Sequence, residues 1–439
     1  MQKVNALFFT RQRPCPGGFI RKLKILHTVE SYAPAMNGMS EVVRQLSERL
    51  AVVGHELTVA TGVASERPGI DLHGVRVVEF DVSGNAVTGL CGDVASYRKF
   101  LLDSDFDVVT NFAAQQWATD IALPLLQRIS GRKVLVPTGF SGLHSRRYRE
   151  YYRKMPEYMN RYDMNVFLSD SYRDVSFARR HGITREVLIP NGAAAEEFSV
   201  PLPDVRSKLG VAEDHFLILH VGSHTWFKGH EEAMEIFGQA DMRDAILLIV
   251  GNEAQGGCGT LCRERAKLLN GSARFRTDRK RIIVTPLTRA ETVSAYHAAD
   301  LFLFPSNIEC SPIVLFECLA SRTPFLVTDV GNSSEIIAWS DGAGLLLPSR
   351  RPPFLPRYGT FRERVGEKIR IILGRADDFA AVHPKLRGSS ALLSALYRDA
   401  DGRKEMAQKG FLAWQKRFTW EAVAMEYESL YRSLVEGNP

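Results

Sequence analysis

The stretch SNIECSPIVLFECLAS, Ser306–Ser321, holds a loop, a helix start and two acidic residues in one short span. Ser311 has the chemistry of an N-cap, and Pro312 suits the first helical position. The apolar run Ile313, Val314, Leu315 and Phe316 then opens a buried helix. Backbone N–H groups of Ile313 and Val314 would point out of its N-terminus, which makes an anion site. Just upstream, Leu301–Phe304 is a short apolar strand stopped by Pro305. Strand, loop and helix start together predict the ligand crevice of an open α/β sheet.

Glu309 and Glu317 have seven residues between them. A carboxylate next to a bound phosphate is repelled, so each acid needs another partner. Hydroxyl groups suit them, because an ionised carboxylate only accepts hydrogen bonds. One acid can hold a ribose diol and the other a hexose hydroxyl, which describes a nucleotide-sugar lying across a helix start. The plainer alternative is a solvated loop glutamate and a helix glutamate on a wet face.

PSNIECSPIVLFECLASRTPFLVTDVG, residues 305–331, resembles the donor site of the retaining glycosyltransferases of family four, whose fold is GT-B. Glu309 and Glu317 match the Glu-x7-Glu motif of that family. The resemblance implies that Glu309 contacts the donor sugar, that Glu317 binds the ribose, and that backbone amides between them hold the distal phosphate. It implies a nucleotide-sugar donor, UDP- or GDP-linked, and a glycan, lipid or small-molecule acceptor. It implies no cofactor and no metal for the reaction, and the chain has no Asp-x-Asp ligand motif. A nucleic-acid partner is not expected.

Outward from this stretch, 439 residues suffice for two or three domains, and 45% hydrophobic residues permit large cores. The formal net charge of +6 suits anionic ligands or a membrane surface. Six cysteines are too sparse for a disulfide scaffold. Cys258 and Cys262 read as a lone pair with no His or Cys neighbour, which argues against zinc. No apolar run reaches the ~18–20 residues of a membrane span, and residues 1–20 lack the apolar segment of a signal peptide. The expected location is the cytoplasm, with RRYREYYRK (Arg146–Lys154) offering either a basic, aromatic face for anionic headgroups at the inner membrane or a solvated helix.

The N-terminal half reads as a βαβ unit: strand Leu23–Val29, helix Ser40–Val53 with Val42, Val43, Leu46 and Leu50 on one stripe, then strand Leu57–Ala60. It lacks G-x-G-x-x-G, so a nicotinamide cofactor is not supported. The loop before the helix resembles the family's glycine-rich loop. Gly38 matches its second glycine, where the backbone can approach the donor, and Asn37 replaces the first. In TGFSGLH, Thr138 or Gly139 falls where the family often has a histidine, and His144 reads as a surface residue. VLIPNG, residues 187–192, resembles the family's close of the first domain.

Past a proline-bearing linker, Glu196–Asp204, the buried strand His215–Val221 leads into GSHTWFKG, residues 222–229. Here the family pattern is G-R-x4-K-G. Gly222, Lys228 and Gly229 match it and Ser223 replaces the arginine, so one bidentate phosphate contact is lost. Lys228 remains to neutralise diphosphate charge. IIVTPL, residues 282–287, resembles the turn that meets the base, which makes Pro286 and Leu287 donor contacts. The expected division is a leader at 1–21, an acceptor domain at 22–200, a donor domain at 201–415 with an insertion at about 349–390, and a helix at 416–439 returning to the first domain. Both domains are expected to be Rossmann-like, facing across a cleft. The alternatives are a catalytically inactive GT-B subunit and a nucleotide-sugar epimerase.

Overall fold

The computed structural model describes residues 21–35, 37–200, 202–253, 256–350 and 381–437. All but the last residue of the leader expected at 1–21, and most of the insertion expected at 349–390, lie outside them.

The N-terminal half builds an eight-stranded sheet. Its strands are β1 (Lys24–Thr28), β2 (Glu56–Gly62), β3 (Asp71–Leu72), β4 (Val75–Phe80), β7 (Val108–Phe112), β8 (Arg132–Val136), β9 (Met164–Phe167) and β10 (Glu186–Leu188). The hairpin of β5 (Val82–Asn85) and β6 (Gly89–Gly92) stands apart from it. The order is β10-β9-β8-β7-β1-β2-β4-β3, parallel throughout except for the β3–β4 pair. Ile25 lies opposite Leu57 on one side and Val108 on the other. All five residues of β7, VVTNF, are buried, as a parallel strand covered on both faces requires.

The C-terminal half repeats the plan with six parallel strands: β11 (Phe216–Val221), β12 (Ala245–Val250), β13 (Arg281–Thr285), β14 (Leu301–Phe304), β15 (Phe325–Val327) and β16 (Gly344–Leu346). Their order is β13-β12-β11-β14-β15-β16. β12, AILLIV, is buried along its whole length. Two doubly wound α/β domains are therefore present, and the fold class read from the sequence holds.

The chain crosses between the domains twice, side by side. The first crossing runs from Ala193 through a short helix, Ala195–Ser199, so part of the expected linker is helical. The second runs through Trp414–Phe418, wound as a π-helical turn, into the last helix, Trp420–Glu436. Ala193 and Thr419 form a parallel bridge. The Ala193 N–H donates to the Phe418 carbonyl at 2.9 Å, and Trp414 Nε1 donates to the Ala193 carbonyl at 3.1 Å. Trp420, Val423, Tyr427 and Tyr431 of the last helix join the N-terminal core. The Tyr431 hydroxyl meets buried His27 at 3.1 Å and Thr110 at 2.7 Å. Burial pushes the His27 imidazole down to about 3, so the ring is neutral within this network. From the stretch expected to be an insertion, Leu386–Arg398 forms a helix whose Leu393 is in the C-terminal core and whose Ser390 hydroxyl donates to the Ile236 carbonyl at 3.0 Å.

Candidate functional site

A cleft of about 610 Å³ opens between the domains at the C-terminal ends of β11 and β14. Its lining includes Gly38, Gly222, Ser223, Lys228, Leu287, Glu309, Ser311, Pro312, Ile313, Val314 and Glu317. These belong to four separate stretches of sequence, and the fold brings them to one cavity. Pro286, expected beside its neighbour Leu287, is not part of the lining.

The helix at its centre starts one residue later than the sequence suggested. Pro312, not Ser311, holds the N-cap position, with φ −69° and ψ 111°, and the helix is Ile313–Ser321. No side chain caps it. Ser311 is held elsewhere: its hydroxyl accepts from Asn332 Nδ2 at 3.1 Å and its carbonyl from Asn191 Nδ2 at 3.0 Å. Leu315 N–H turns back to the Pro312 carbonyl. The first N–H groups, those of Ile313 and Val314, are left at the cleft, with the positive end of the helix dipole behind them.

Each glutamate has a base. Lys228 Nζ pairs with Glu309 Oε1 at 2.8 Å, and the Ser306 hydroxyl donates to the same oxygen at 2.7 Å. Lys228 is carried by the loop after β11, which is tied down firmly. The Phe227 carbonyl accepts from Asn307 N–H at 2.8 Å and from the Ser306 hydroxyl at 3.0 Å. Gly229 has φ +75°, and a Cβ there would lie 2.1 Å from the Pro305 carbonyl oxygen. Only glycine lets the loop lie this close to the end of β14.

Glu317 is 4% exposed and takes Arg289 Nη1 at 2.6 Å. Burial raises its pKa, and Arg289 opposes that shift. Arg289, at the start of the helix Arg289–Ala298, also reaches Glu197 Oε2 through Nε at 2.9 Å. Burial works against its charge, but Glu317 and Glu197 outweigh burial and hold its pKa above the usual value. Arg44 continues the chain, with Glu41 at 2.8 Å, Glu48 at 2.9 Å and Glu197 at 3.4 Å. Arg289 and Arg44 both line the cleft, and reading the sequence for motifs missed both. The capping box Thr288–Glu291 that fixes Arg289 was the available signal.

Gly38 is the first residue of the helix Gly38–Val52, where Asn37 is the N-cap and accepts from Ser40 N–H at 3.0 Å. Asn37, read as a departure from a glycine, thus does a capping job. A Cβ on Gly38 would have nothing within 4 Å, so the backbone there stands open to the cleft. His144 is exposed and lies on a neighbouring cavity of about 530 Å³ with Arg173, Arg180 and Ile308. Gly139, in the histidine loop, has φ +102° and sits between Cys310 and Tyr172, where a Cβ would come within 2.9 Å of each. Its N–H donates to Asp174 Oδ2 at 2.8 Å. Burial pushes the Asp174 carboxyl up to about 6, opposed by the backbone donors at Val175 and Gly139.

Two sequence expectations change. RRYREYYRK does not present a joint basic and aromatic face. Tyr148 and Tyr152 point into the core, and Tyr151 donates to Asp120 Oδ1 at 2.7 Å, while Arg146, Arg147, Arg149, Arg153 and Lys154 are exposed. The helical period separates the two sets. Cys258 and Cys262 are not a lone pair either, because His224 and His230 lie against them. The partners come from another loop, beyond the reach of a local spacing rule. Among the described residues, no helix is long and apolar enough to cross a membrane.

Solved structures share this fold. Sucrose-phosphate synthase of Thermosynechococcus elongatus superposes with a TM-score of 0.67 at 19% identity, over 95% of this chain and 100% of that one. The Anabaena protein HepE, solved with UDP and glucose, also gives 0.67, at 14% identity and over 94% and 100%. The fold is GT-B. Residues 203–352, the greater part of the second GT-B domain, match the family model described as Glycosyl transferases group 1. An uncharacterized glycosyltransferase of Methanocaldococcus jannaschii is 23% identical over 339 residues, 72% of this chain and 83% of its own length.

Proposed function

We propose that this protein is a retaining glycosyltransferase that moves a sugar from a nucleoside diphosphate sugar to a glycan, lipid or small-molecule acceptor. The observation that carries the reading is the pair Glu309 and Glu317, each held by its own base, on either side of an uncapped helix start in one cleft. The group 1 match over residues 203–352 and the UDP and glucose bound in the Anabaena protein support a nucleotide-sugar donor.

In this reading Glu317 accepts from the ribose hydroxyls, and the Ile313 and Val314 amides take the distal phosphate. The Lys228–Glu309 pair keeps both charges compensated before the donor arrives. On binding, the diphosphate draws Lys228 to itself, and Glu309 turns to a sugar hydroxyl. As the glycosidic bond lengthens, positive charge grows on the sugar ring and negative charge on the leaving diphosphate. Glu309 steadies the first, and Lys228 with the helix start steadies the second. The acceptor attacks from the face the diphosphate leaves, and the departing phosphate oxygen takes its proton, so no enzymic nucleophile is assigned. Charge at the diphosphate is met by protein groups, and this route assigns no metal to the transfer. In this reading the acceptor enters through the neighbouring cavity lined by Arg173 and Arg180.

Incubation with labelled UDP- and GDP-sugars tests the proposal, with the anomer of the released sugar read by NMR. Slow hydrolysis with retained configuration supports it. A changed sugar indicates an epimerase, and no binding of any donor indicates an inactive subunit. Binding to anionic vesicles that falls with salt would add a peripheral membrane contact through the exposed Arg146, Arg147 and Arg149.

A further inference from the structure

The loop that carries Lys228 has a second feature, which the transferase reading does not use. His224 and His230 frame that loop, and on the next crossover Cys258 is the N-cap of the helix Gly259–Asn270 and Cys262 lies within that helix. All four are buried, and one ligand atom from each lies within 4.8 Å of the others. The sulfur of Cys258 is 3.7 Å from His224 Nδ1 and 3.7 Å from His230 Nδ1.

These distances can be set against the geometry of a metal. Zinc holds thiolate at about 2.3 Å and imidazole nitrogen at about 2.0–2.1 Å, in a tetrahedron. The S···N edge of such a tetrahedron is about 3.6 Å and the S···S edge about 3.8 Å. Both measured S···N separations fall within a few tenths of an ångström of that edge.

The tautomer of His230 agrees. Its Nε2 lies 3.0 Å from the Gly222 carbonyl. A carbonyl only accepts, so Nε2 carries the hydrogen and the Nδ1 lone pair faces Cys258. A metal-bound histidine is oriented in the same way, by donation of its other N–H to a carbonyl or carboxylate. The two rings stack with centroids 4.4 Å apart, and their Nδ1 atoms lie at the same distance, 3.7 Å, from the one sulfur of Cys258. In sequence the set reads His-x5-His followed by Cys-x3-Cys. Both spacings fall within the ranges of structural Cys2His2 sites, with the order of the pairs reversed.

We infer that His224, His230, Cys258 and Cys262 form a structural site for a tetrahedral divalent ion of the zinc type, which ties the Lys228 loop to the following crossover. The two loops already share bonds, His224 N–H to the Asn252 carbonyl at 3.0 Å and Cys258 N–H to the His224 carbonyl at 3.2 Å. The ion would lock that contact from the side chains. With four protein ligands the site is closed, so its role is to hold the loop and it takes no part in the transfer chemistry.

The test uses the full chain, free of any histidine tag. Elemental analysis after dialysis is expected to give one zinc per chain, and near none in the Cys258→Ser/Cys262→Ser variant. Replacement by Co2+ in the wild type is expected to give thiolate-to-cobalt charge-transfer absorption in the near ultraviolet and the visible bands of tetrahedral cobalt. His224→Ala should weaken those visible bands. The wild-type cobalt spectrum decides the matter even where a variant fails to fold. Absence of a charge-transfer band and of retained metal in the wild type overturns the inference. So does a Cys258–Cys262 disulfide in the protein as purified, which would make the pair a redox couple. None of these readouts involves a sugar donor, so failure here leaves the transferase proposal standing, and the reverse also holds.

Discussion

Replacement of Glu317 by glutamine isolates one charge in the proposed site. The carboxylate is buried, with Arg289 Nη1 at 2.6 Å and the cleft on its open side. Glutamine keeps the shape and one acceptor oxygen but removes the charge that a ribose diol would use. A hydrogen bond to a charged group contributes about 1.5–3 kcal/mol, so Kd should rise roughly 10- to 150-fold. Arg289 would not be stranded, because Glu197 still holds its Nε at 2.9 Å. The fold cost should therefore fall below the ~3–5 kcal/mol of an uncompensated buried charge. Calorimetric titration with the nucleoside diphosphate and with the intact donor provides the assay, and the unliganded melting temperature provides the control. The ribose is common to both ligands, so both affinities should fall by the same factor. A folded variant with unchanged affinity for both would refute the assignment. A loss confined to the intact donor would move Glu317 from the ribose to the sugar.

Glu309→Ala should leave diphosphate affinity within a few fold and lower turnover sharply, because its partner is the sugar; equal loss of both, in the same titrations and a turnover assay, contradicts this. Lys228→Ala should cost about 100- to 1,000-fold in kcat, the loss typical of one transition-state donor, since Arg44 and Arg289 are already committed to glutamates; Ser223→Arg should be tolerated and tighten donor binding, as single-turnover rates and calorimetry would report. Asp174 has a folded pKa of about 6 against an ordinary 3.8. Its protonated form is therefore favoured by folding, and stability should fall by up to about 3 kcal/mol as pH rises from about 4 to 6. Asp174→Asn should remove that slope in urea titrations across the window. Glu335 of the second domain accepts from the Ser169 hydroxyl at 2.8 Å and from Asp170 and Ser171 N–H at 2.9 and 3.0 Å in the first; Glu335→Ala should widen the cleft, seen as a larger radius of gyration by X-ray scattering, with donor affinity reduced.

What could be read from the sequence followed from where the interactions lie along the chain. Leu301–Phe304 was located to the residue, because it is a continuous apolar run ended by a proline. That Gly222, Ser223 and Lys228 belong to one loop, and Glu309 and Glu317 to one strand–loop–helix unit, was legible because their residues lie close together in sequence. The N-cap was misplaced because Ser311 suits the position chemically, yet Asn332 and Asn191, distant in sequence, claim its hydroxyl and carbonyl. Arg289, Asp174 and Glu335 act on partners that only tertiary structure supplies. The histidine neighbours of Cys258 and Cys262 were missed for the same reason, since two adjacent crossovers each contribute half of the cluster. In RRYREYYRK the composition was clear, but which residues turn inward depended on the core waiting beneath the helix.

The paired crossings at Ala193 and Phe418–Trp420 constrain how this molecule can move. Two strands of chain pinned side by side act as a strap hinge: they bend together, but they resist twist and sliding. Opening is thereby reduced to a single swing, with Glu335 and its donors on Ser169, Asp170 and Ser171 as the latch. A swing of that kind preserves register. Each time the jaws shut, Gly38 of one domain returns opposite Lys228 and Ile313 of the other, without a search for alignment.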